Sequence, residues 1–272
     1  MNAPFGQRLA DAVAARGPLC VGIDPHAPLL AKWGLSDDAE GLARFTDAVV
    51  DALAGSVAVL KPQLAFYERH GSRGLAVLEA AVPRARAAGA LVLLDAKRGD
   101  IGSTMDAYAD YLRPDHPLAV DAMTVSPFLG PDSLQPALDT ARRHGGGLFV
   151  LARTSNPDAG TFQHARVGGR SVAQAVVDTV GRWNAEDGAP SGSFGVVVGA
   201  TLPEMDVDLT GLRGPVLAPG LGAQGGSPAD LRRLFGPGIV VVPTVSRDVL
   251  GAGPDPAALR AAADRWADEL AR

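Results

Sequence analysis

A chain of 272 residues, 47% apolar and 20% charged, has enough apolar material for one large core and is too hydrophobic to stay disordered. Its formal charge of -5, with no run of Lys or Arg, offers no basic field for nucleic acid, so an anionic ligand must be gripped by a few placed cations. The lone cysteine, Cys20, excludes an intrachain disulfide framework and a CxxC site, and the histidines at 26, 70, 116, 144 and 164 lack HExxH spacing, so no histidine metal motif is expected.

The N-terminal MNAPFGQRLADAVAARG has no apolar core of a signal peptide, and no uninterrupted apolar stretch is long enough to span a bilayer. A soluble cytoplasmic protein is therefore expected. Phe5, Leu9 and Val13 recur at helical spacing and predict an amphipathic lead-in helix. Apolar or β-branched runs follow at Leu19 to Ile23, Val57 to Leu60, Leu91 to Leu94, Ala119 to Val125, Leu148 to Ala152, Phe194 to Val198, Val216 to Ala218 and Ile239 to Val242. Between them lie Ala-rich helical patterns at Ala39 to Leu53, Gly74 to Ala88, Leu134 to Arg143, Ser171 to Asn184 and Pro228 to Phe235, with another from Pro256 to Arg272. Eight strands alternating with helices predict a (β/α)₈ barrel forming a single domain over residues 1–272.

A doubly wound open sheet would also bury such strands on both faces. The polar residues favour the barrel: Asp24, Lys61, Asp95 with Lys97, Ser126, Thr154 with Ser155, Gln224, and Ser246 with Arg247 each follow an apolar run. At the C-terminal ends of barrel strands they would face one mouth, where active sites of this fold sit. The stretch Asn156 to Gly169, NPDAGTFQHARVGG, reads as a long irregular loop, either a lid or a passive surface loop.

The densest chemistry lies in LVLLDAKRGDIGST, Leu91 to Thr104. Side chains repeat every two residues in a strand, so Asp95 and Lys97 share a side, with Asp100 just beyond the strand end. The spacing predicts a carboxylate, an ammonium and a second carboxylate converging on one spot, with Lys97 held in its proton-bearing form between the two acids. The plainer reading of an isolated D-x-K-x-x-D is a solvated ion pair of little energetic weight.

In APGLGAQGGSPADLRRLF, Gly220, Gly222 and Gly225 give G-x-G-x-x-G, but late in the chain and without the βαβ context of a dinucleotide site. Ser227 as N-cap, Pro228 at the first helical position and Asp230 at N3 mark a helix start whose free N–H groups suit an anion. Arg247 after the eighth run is placed to complete a phosphate grip, since phosphate sites of these barrels use the last two loops. Cys20, inside PLCVGID, reads as a buried, inert thiol.

Taken together, VGIDP, LKPQLAFYE, DAKRGDIGST, TSNP, APGLGAQGG and VPTVSR resemble the orotidine 5'-phosphate decarboxylase family, especially its longer second subfamily, from Phe5 to about Ala267. The resemblance implies that Lys97 protonates C6 of the pyrimidine, that Asp95 stands beside the departing carboxylate, and that Lys61 and Asp100 complete a charge network. It implies substrate binding by Asp24, Ile101, Thr104, Ser155, Pro219, Gln224, Ser246 and Arg247: the first at the ribose, Ser155 at the pyrimidine edge, Gln224 and Arg247 at the phosphate. Whether Thr154 or Ser155 reads the base stays open. It further implies a homodimer in which Asp100 and Thr104 enter the neighbouring subunit's site, and no metal, flavin or pyridoxal cofactor. A related metal-dependent decarboxylase of keto-sugar phosphates shares D-x-K-x-x-D but places a carboxylate where this chain has Lys61. A catalytically silent phosphosugar-binding barrel is the remaining alternative, since a fold alone does not establish activity.

Overall fold

The computed structural model describes residues 3–272. Eight parallel strands close into a barrel in chain order: β1 (Cys20–Ile23), β2 (Val59–Pro62), β3 (Leu91–Arg98), β4 (Ala122–Val125), β5 (Gly147–Arg153), β6 (Phe194–Val198), β7 (Val216–Pro219) and β8 (Val241–Val245), the last pairing with the first. Closure rules out the open sheet and removes the context a dinucleotide motif requires.

Strand periodicity divides the core in two. Cys20, Val59, Leu91, Leu93, Phe149 and Leu217 point into the barrel and pack as one cluster, whereas their alternates Val21, Leu60, Val92, Leu94, Val150 and Ala218 belong to the larger cluster beneath the helices. This in-and-out alternation is what a closed parallel barrel requires. The lead-in helix α1 (Phe5–Arg16) does more than precede the barrel: Phe5 and Leu9 join the interior cluster and plug its N-terminal end. Phe5 meets Phe149 edge to face, with ring centroids 5.9 Å apart. A Cβ at Gly147 would stand 2.4 Å from the Phe5 ring, so the plug requires glycine there. Beside it the buried carboxylate of Asp121 accepts from Arg8 and from the backbone N–H of Val92, which ties α1 to β3.

The outer helices are α2 (Ala39–Leu53), α3 (Gly71–Ala87), α4 (Gly102–Ala109), α5 (Gln135–His144), α6 (Val172–Asp187), α7 (Pro228–Leu234) and α8 (Pro256–Ala271). Strand boundaries differ from expectation chiefly at the C-terminal ends. β2 runs on through Lys61 and Pro62, β3 through Asp95 to Arg98, and β8 through Thr244 and Val245. Polar residues can continue a strand here because their side chains enter the mouth rather than the core. The expected irregular stretch from 156 to 169 contains a short helix, Ala159–Gln163, and a two-residue antiparallel ladder pairing Arg166–Val167 with Arg170–Ser171.

Candidate active site

The alternation that places Val59 and Leu93 inside the barrel also aims Lys61 and Asp95 inward one step higher. Lys97, Asp24, Thr124, Thr244 and Ser246 follow by the same parity on their own strands or just past them. These side chains line a cavity of about 230 Å³ at the C-terminal mouth. Its opposite wall comes from the loops after β7 and β8, with Pro219, Gly220, Gln224 and Arg247. Gly222, at φ +69°, lets these loops close on each other, since a Cβ there would lie 2.2 Å from the Asp248 carboxylate.

At the floor, the central charge is Asp95 rather than the Lys97 that the D-x-K-x-x-D spacing alone suggests. Asp95 lies between two ammonium groups, with Lys61 Nζ 2.8 Å from Oδ2 and Lys97 Nζ 2.7 Å from Oδ1. Burial opposes the Asp95 charge, but the two lysines outweigh it and hold the carboxyl well below the usual range. Burial likewise opposes the Lys61 charge, and Asp95 with Asp24 holds its ammonium above the ordinary lysine value. The pair is therefore ionic at neutral pH, with Lys61 almost wholly buried and Lys97 half exposed toward the cavity. Lys97 has φ +50°, an uncommon conformation for a residue with a side chain.

Asp100 does not join this row. Its carboxylate accepts from the neighbouring Ile101 N–H at 2.8 Å, and Asp100, Ile101 and Thr104 lie off the cavity wall. β3 ends at Arg98, and Gly99 turns the chain against Ser126, where a Cβ would lie 2.4 Å from the Ser126 carbonyl. Convergence of both acids on Lys97 within one subunit is thus corrected.

Three buried oxygens at the cavity, Asp24 Oδ1, Thr244 Oγ1 and Ser246 Oγ, have no hydrogen-bond partner among the described residues. Orphaned buried polar atoms are costly, and a row of them facing one cavity suits a hydroxyl-rich ligand. After β5, Thr154 lines the cavity while Ser155 is exposed at its edge, packed near Gly199. The Thr154 hydroxyl donates to Asn156 at 2.6 Å and accepts from Gln163 at 2.8 Å. Ser126 follows β4, with its N–H on the Arg98 carbonyl, and lies off the cavity wall.

The anion site expected at the start of α7 is also corrected. Ser227 and Asp230 form a complete capping box, and Asp230, held below the usual carboxylate range by hydrogen bonds from Ser227 and Arg233, puts a negative charge on that helix end. Neither residue lines the cavity, whereas Gln224 and Arg247 do. Cys20 is buried beneath the floor, its thiol pushed up to about 12 by burial. No group of three or more His, Cys, Asp or Glu in metal-holding geometry occurs among the described residues.

Two residues escape sequence reasoning. Thr124, 1% exposed, bridges Asp95 and the Lys97 backbone, and its only signal is its inward parity two residues after Ala122. Gln163 clasps Thr154 from nine residues away, and nothing local in the sequence announces it.

A model of the orotidine 5'-phosphate decarboxylase / HUMPS family matches residues 17–262. The chain belongs to this family. Orotidine 5'-phosphate decarboxylases among its relatives include that of Salinispora arenicola, 62% identical over 96% of this chain and 95% of the relative, and that of Streptomyces coelicolor, 62% identical over 98% and 97%. Among solved structures, a homologue from Streptomyces avermitilis is 60% identical and superposes with a TM-score of 0.95, covering 99% of this chain and 95% of that one. Leishmania donovani OMP decarboxylase is 33% identical with a TM-score of 0.76, covering 98% of each chain. This chain's D-x-K-x-x-D element ends the third barrel strand, and its Asp95 and Lys97 stand on the cavity floor.

Proposed function

We propose that this chain decarboxylates orotidine 5'-phosphate to uridine 5'-phosphate and carbon dioxide without a cofactor, the last step of de novo UMP synthesis, with Lys97 as proton donor to C6. The observation that carries the reading is the Lys61–Asp95–Lys97 row on the floor of a cavity whose far wall holds Arg247. In the reaction the bond from C6 to the carboxylate breaks and its electron pair stays in an in-plane orbital that the ring cannot delocalise. The Lys97 ammonium stabilises that charge electrostatically, then gives its proton to C6 and is reprotonated by water. Asp95, locked as an anion between two cations, fixes Lys97 and faces the departing carboxylate. Asp24 and Ser246 take the ribose hydroxyls, one of the adjacent Thr154 and Ser155 the pyrimidine edge, and Gln224 with Arg247 the phosphate. Phosphate binding far from C6 is spent on holding the ring over Lys97. Lys61, where a metal-dependent relative would need a carboxylate, disfavours the keto-sugar phosphate reading.

The active form is a homodimer with Asp100, Ile101 and Thr104 entering the partner's site. Ile101 is 62% exposed and Phe128 70% exposed beside the same mouth, and Phe128 stacks obliquely on Phe162 at 5.3 Å. An apolar rim of this kind marks an interaction surface. The work place is the cytoplasm, consistent with a lone, buried cysteine. No helix among the described residues is long and apolar enough to cross a membrane.

Ultraviolet-monitored turnover of orotidine 5'-phosphate by chelator-treated protein tests the reading. Chelator-insensitive formation of uridine 5'-phosphate is expected. Folded protein that is inert without metal and gains activity on a keto-sugar phosphate with magnesium would overturn it.

A further inference from the structure

We propose that Thr124 is a positioning residue for the proton donor: its hydroxyl holds Lys97 in the conformation that aims the ammonium at the reacting carbon. The proposal rests on the decarboxylase reading and adds to it a residue outside the D-x-K-x-x-D element.

Thr124 lies on β4, 1% exposed, with its side chain turned into the mouth beneath Lys97. Its hydroxyl makes two bonds whose directions are fixed by the chemistry of the partners. The Lys97 backbone N–H can only donate, and it does so to Thr124 Oγ1 at 3.0 Å. The ionised Asp95 carboxylate can only accept, and Thr124 Oγ1 gives its single proton to Asp95 Oδ1 at 2.8 Å. One hydroxyl therefore couples the main chain of Lys97 to the carboxylate that holds the Lys97 ammonium from the other end.

That coupling falls where the chain is strained. Lys97 has φ +50°, and the β3–β4 pairing shifts register between Leu94 and Arg98. A non-glycine residue in the left-handed region is strained and persists only where its surroundings over-determine it. Within regular strand geometry the Lys97 amide would bond across the ladder; with the register broken, the Thr124 hydroxyl supplies the acceptor. Without that acceptor residue 97 can relax toward extended backbone, which rotates the direction of its side chain. The ammonium would remain beside Asp95 yet lose its alignment with C6. The proposed ribose and phosphate contacts, Asp24, Ser246 and Arg247, follow the first and last strands, so removing the Thr124 hydroxyl leaves them in place.

The test compares Thr124→Val, Thr124→Ser and wild type in turnover of orotidine 5'-phosphate and in affinity for uridine 5'-phosphate. Valine keeps the shape and removes both hydrogen bonds, whereas serine keeps both. Since misplacement of a catalytic group by about 1 Å can cost on the order of 100-fold, kcat of Thr124→Val should fall by about 30- to 100-fold. Its affinity for uridine 5'-phosphate should stay within about twofold of wild type, and Thr124→Ser should keep kcat within about threefold. Were the valine variant not to fold, Thr124→Ala, which also lacks the hydroxyl, must show the same loss in kcat. A hydroxyl-free variant with near wild-type kcat overturns the proposal. So does a parallel loss of product affinity, or a serine variant as impaired as valine. Wild-type protein inert toward orotidine 5'-phosphate overturns the decarboxylase reading itself, so the two failures are distinguishable.

Discussion

At the residue scale, the site follows from parity. Once Leu91 and Leu93 are assigned to the barrel interior, Asp95 continues inward and the same count leads from Val59 to Lys61, while Asp24 and Lys97 reach the cavity from beyond the regular ladder. Lys61 and Asp95 are legible in the sequence because strand periodicity survives as far as their positions. The spacing within D-x-K-x-x-D alone suggests a lysine between two acids, whereas Lys61, 34 residues before Asp95, enters the row only through the barrel, as the alternating network implied by the family resemblance has it. The row also governs stability. The Asp95 carboxyl is depressed in the folded state, so its contribution is fully present above its unfolded value near 4 and is lost as pH falls toward the folded value. Lys61 is raised, so its contribution is present below its unfolded value near 10.4 and is lost at higher pH. Asp95→Asn, which leaves the buried Lys61 ammonium without its anion, should cost roughly 3–5 kcal/mol. The difference from wild type in urea unfolding should be flat from about pH 5 to 9 and shrink as pH falls below about 4. A difference that grows on acidification would contradict the ionic pair.

At the element scale, the expected helices and strand starts lie within three residues of where hydrophobic periodicity puts them, α2 (Ala39–Leu53) matching to the residue, whereas α4 (Gly102–Ala109) is not among the expected helices. What sequence patterning misses has two physical causes. Strand ends at the mouth carry Lys, Asp and Thr, which resemble loop residues unless the barrel interior is known to be open there. The helix Ala159–Gln163 has only five residues, too short for a periodic signal, and it is held by the distant clasp of Gln163 on Thr154. The α1 plug is partly legible: its amphipathic spacing is visible, but not the end of the barrel it closes. Because Phe5 is fully buried at the end opposite the active site, Phe5→Ala should lower stability by roughly 3–5 kcal/mol. Turnover at a temperature where the variant remains folded should be unchanged. Chemical denaturation paired with steady-state kinetics checks this, and a loss of kcat in fully folded protein would show that the plug couples to the mouth.

At the scale of the whole molecule, Asp100, Ile101 and Thr104 lie off the cavity lining of their own subunit, the last two exposed. In the proposed two-fold dimer, burial of the Ile101 and Phe128 rim would bring Asp100 and Thr104 to the partner's mouth by symmetry. Mixing two inactive variants, Lys97→Ala and Asp100→Ala, then regenerates one intact site in each hybrid dimer. About a quarter of wild-type activity should return after random reassortment, as the symmetry of a shared site requires; no recovery in mixtures shown to contain hybrids would place Asp100 in its own subunit's site. Most directly, the role of Lys97 is tested by the chelator-treated turnover of orotidine 5'-phosphate by Lys97→Ala beside wild type, with uridine 5'-phosphate affinity measured on both. General acid catalysis alone contributes about 100- to 10,000-fold, so a loss of at least that size with product binding retained is the predicted result. Turnover by Lys97→Ala within a few-fold of wild type would contradict Lys97 as the proton donor.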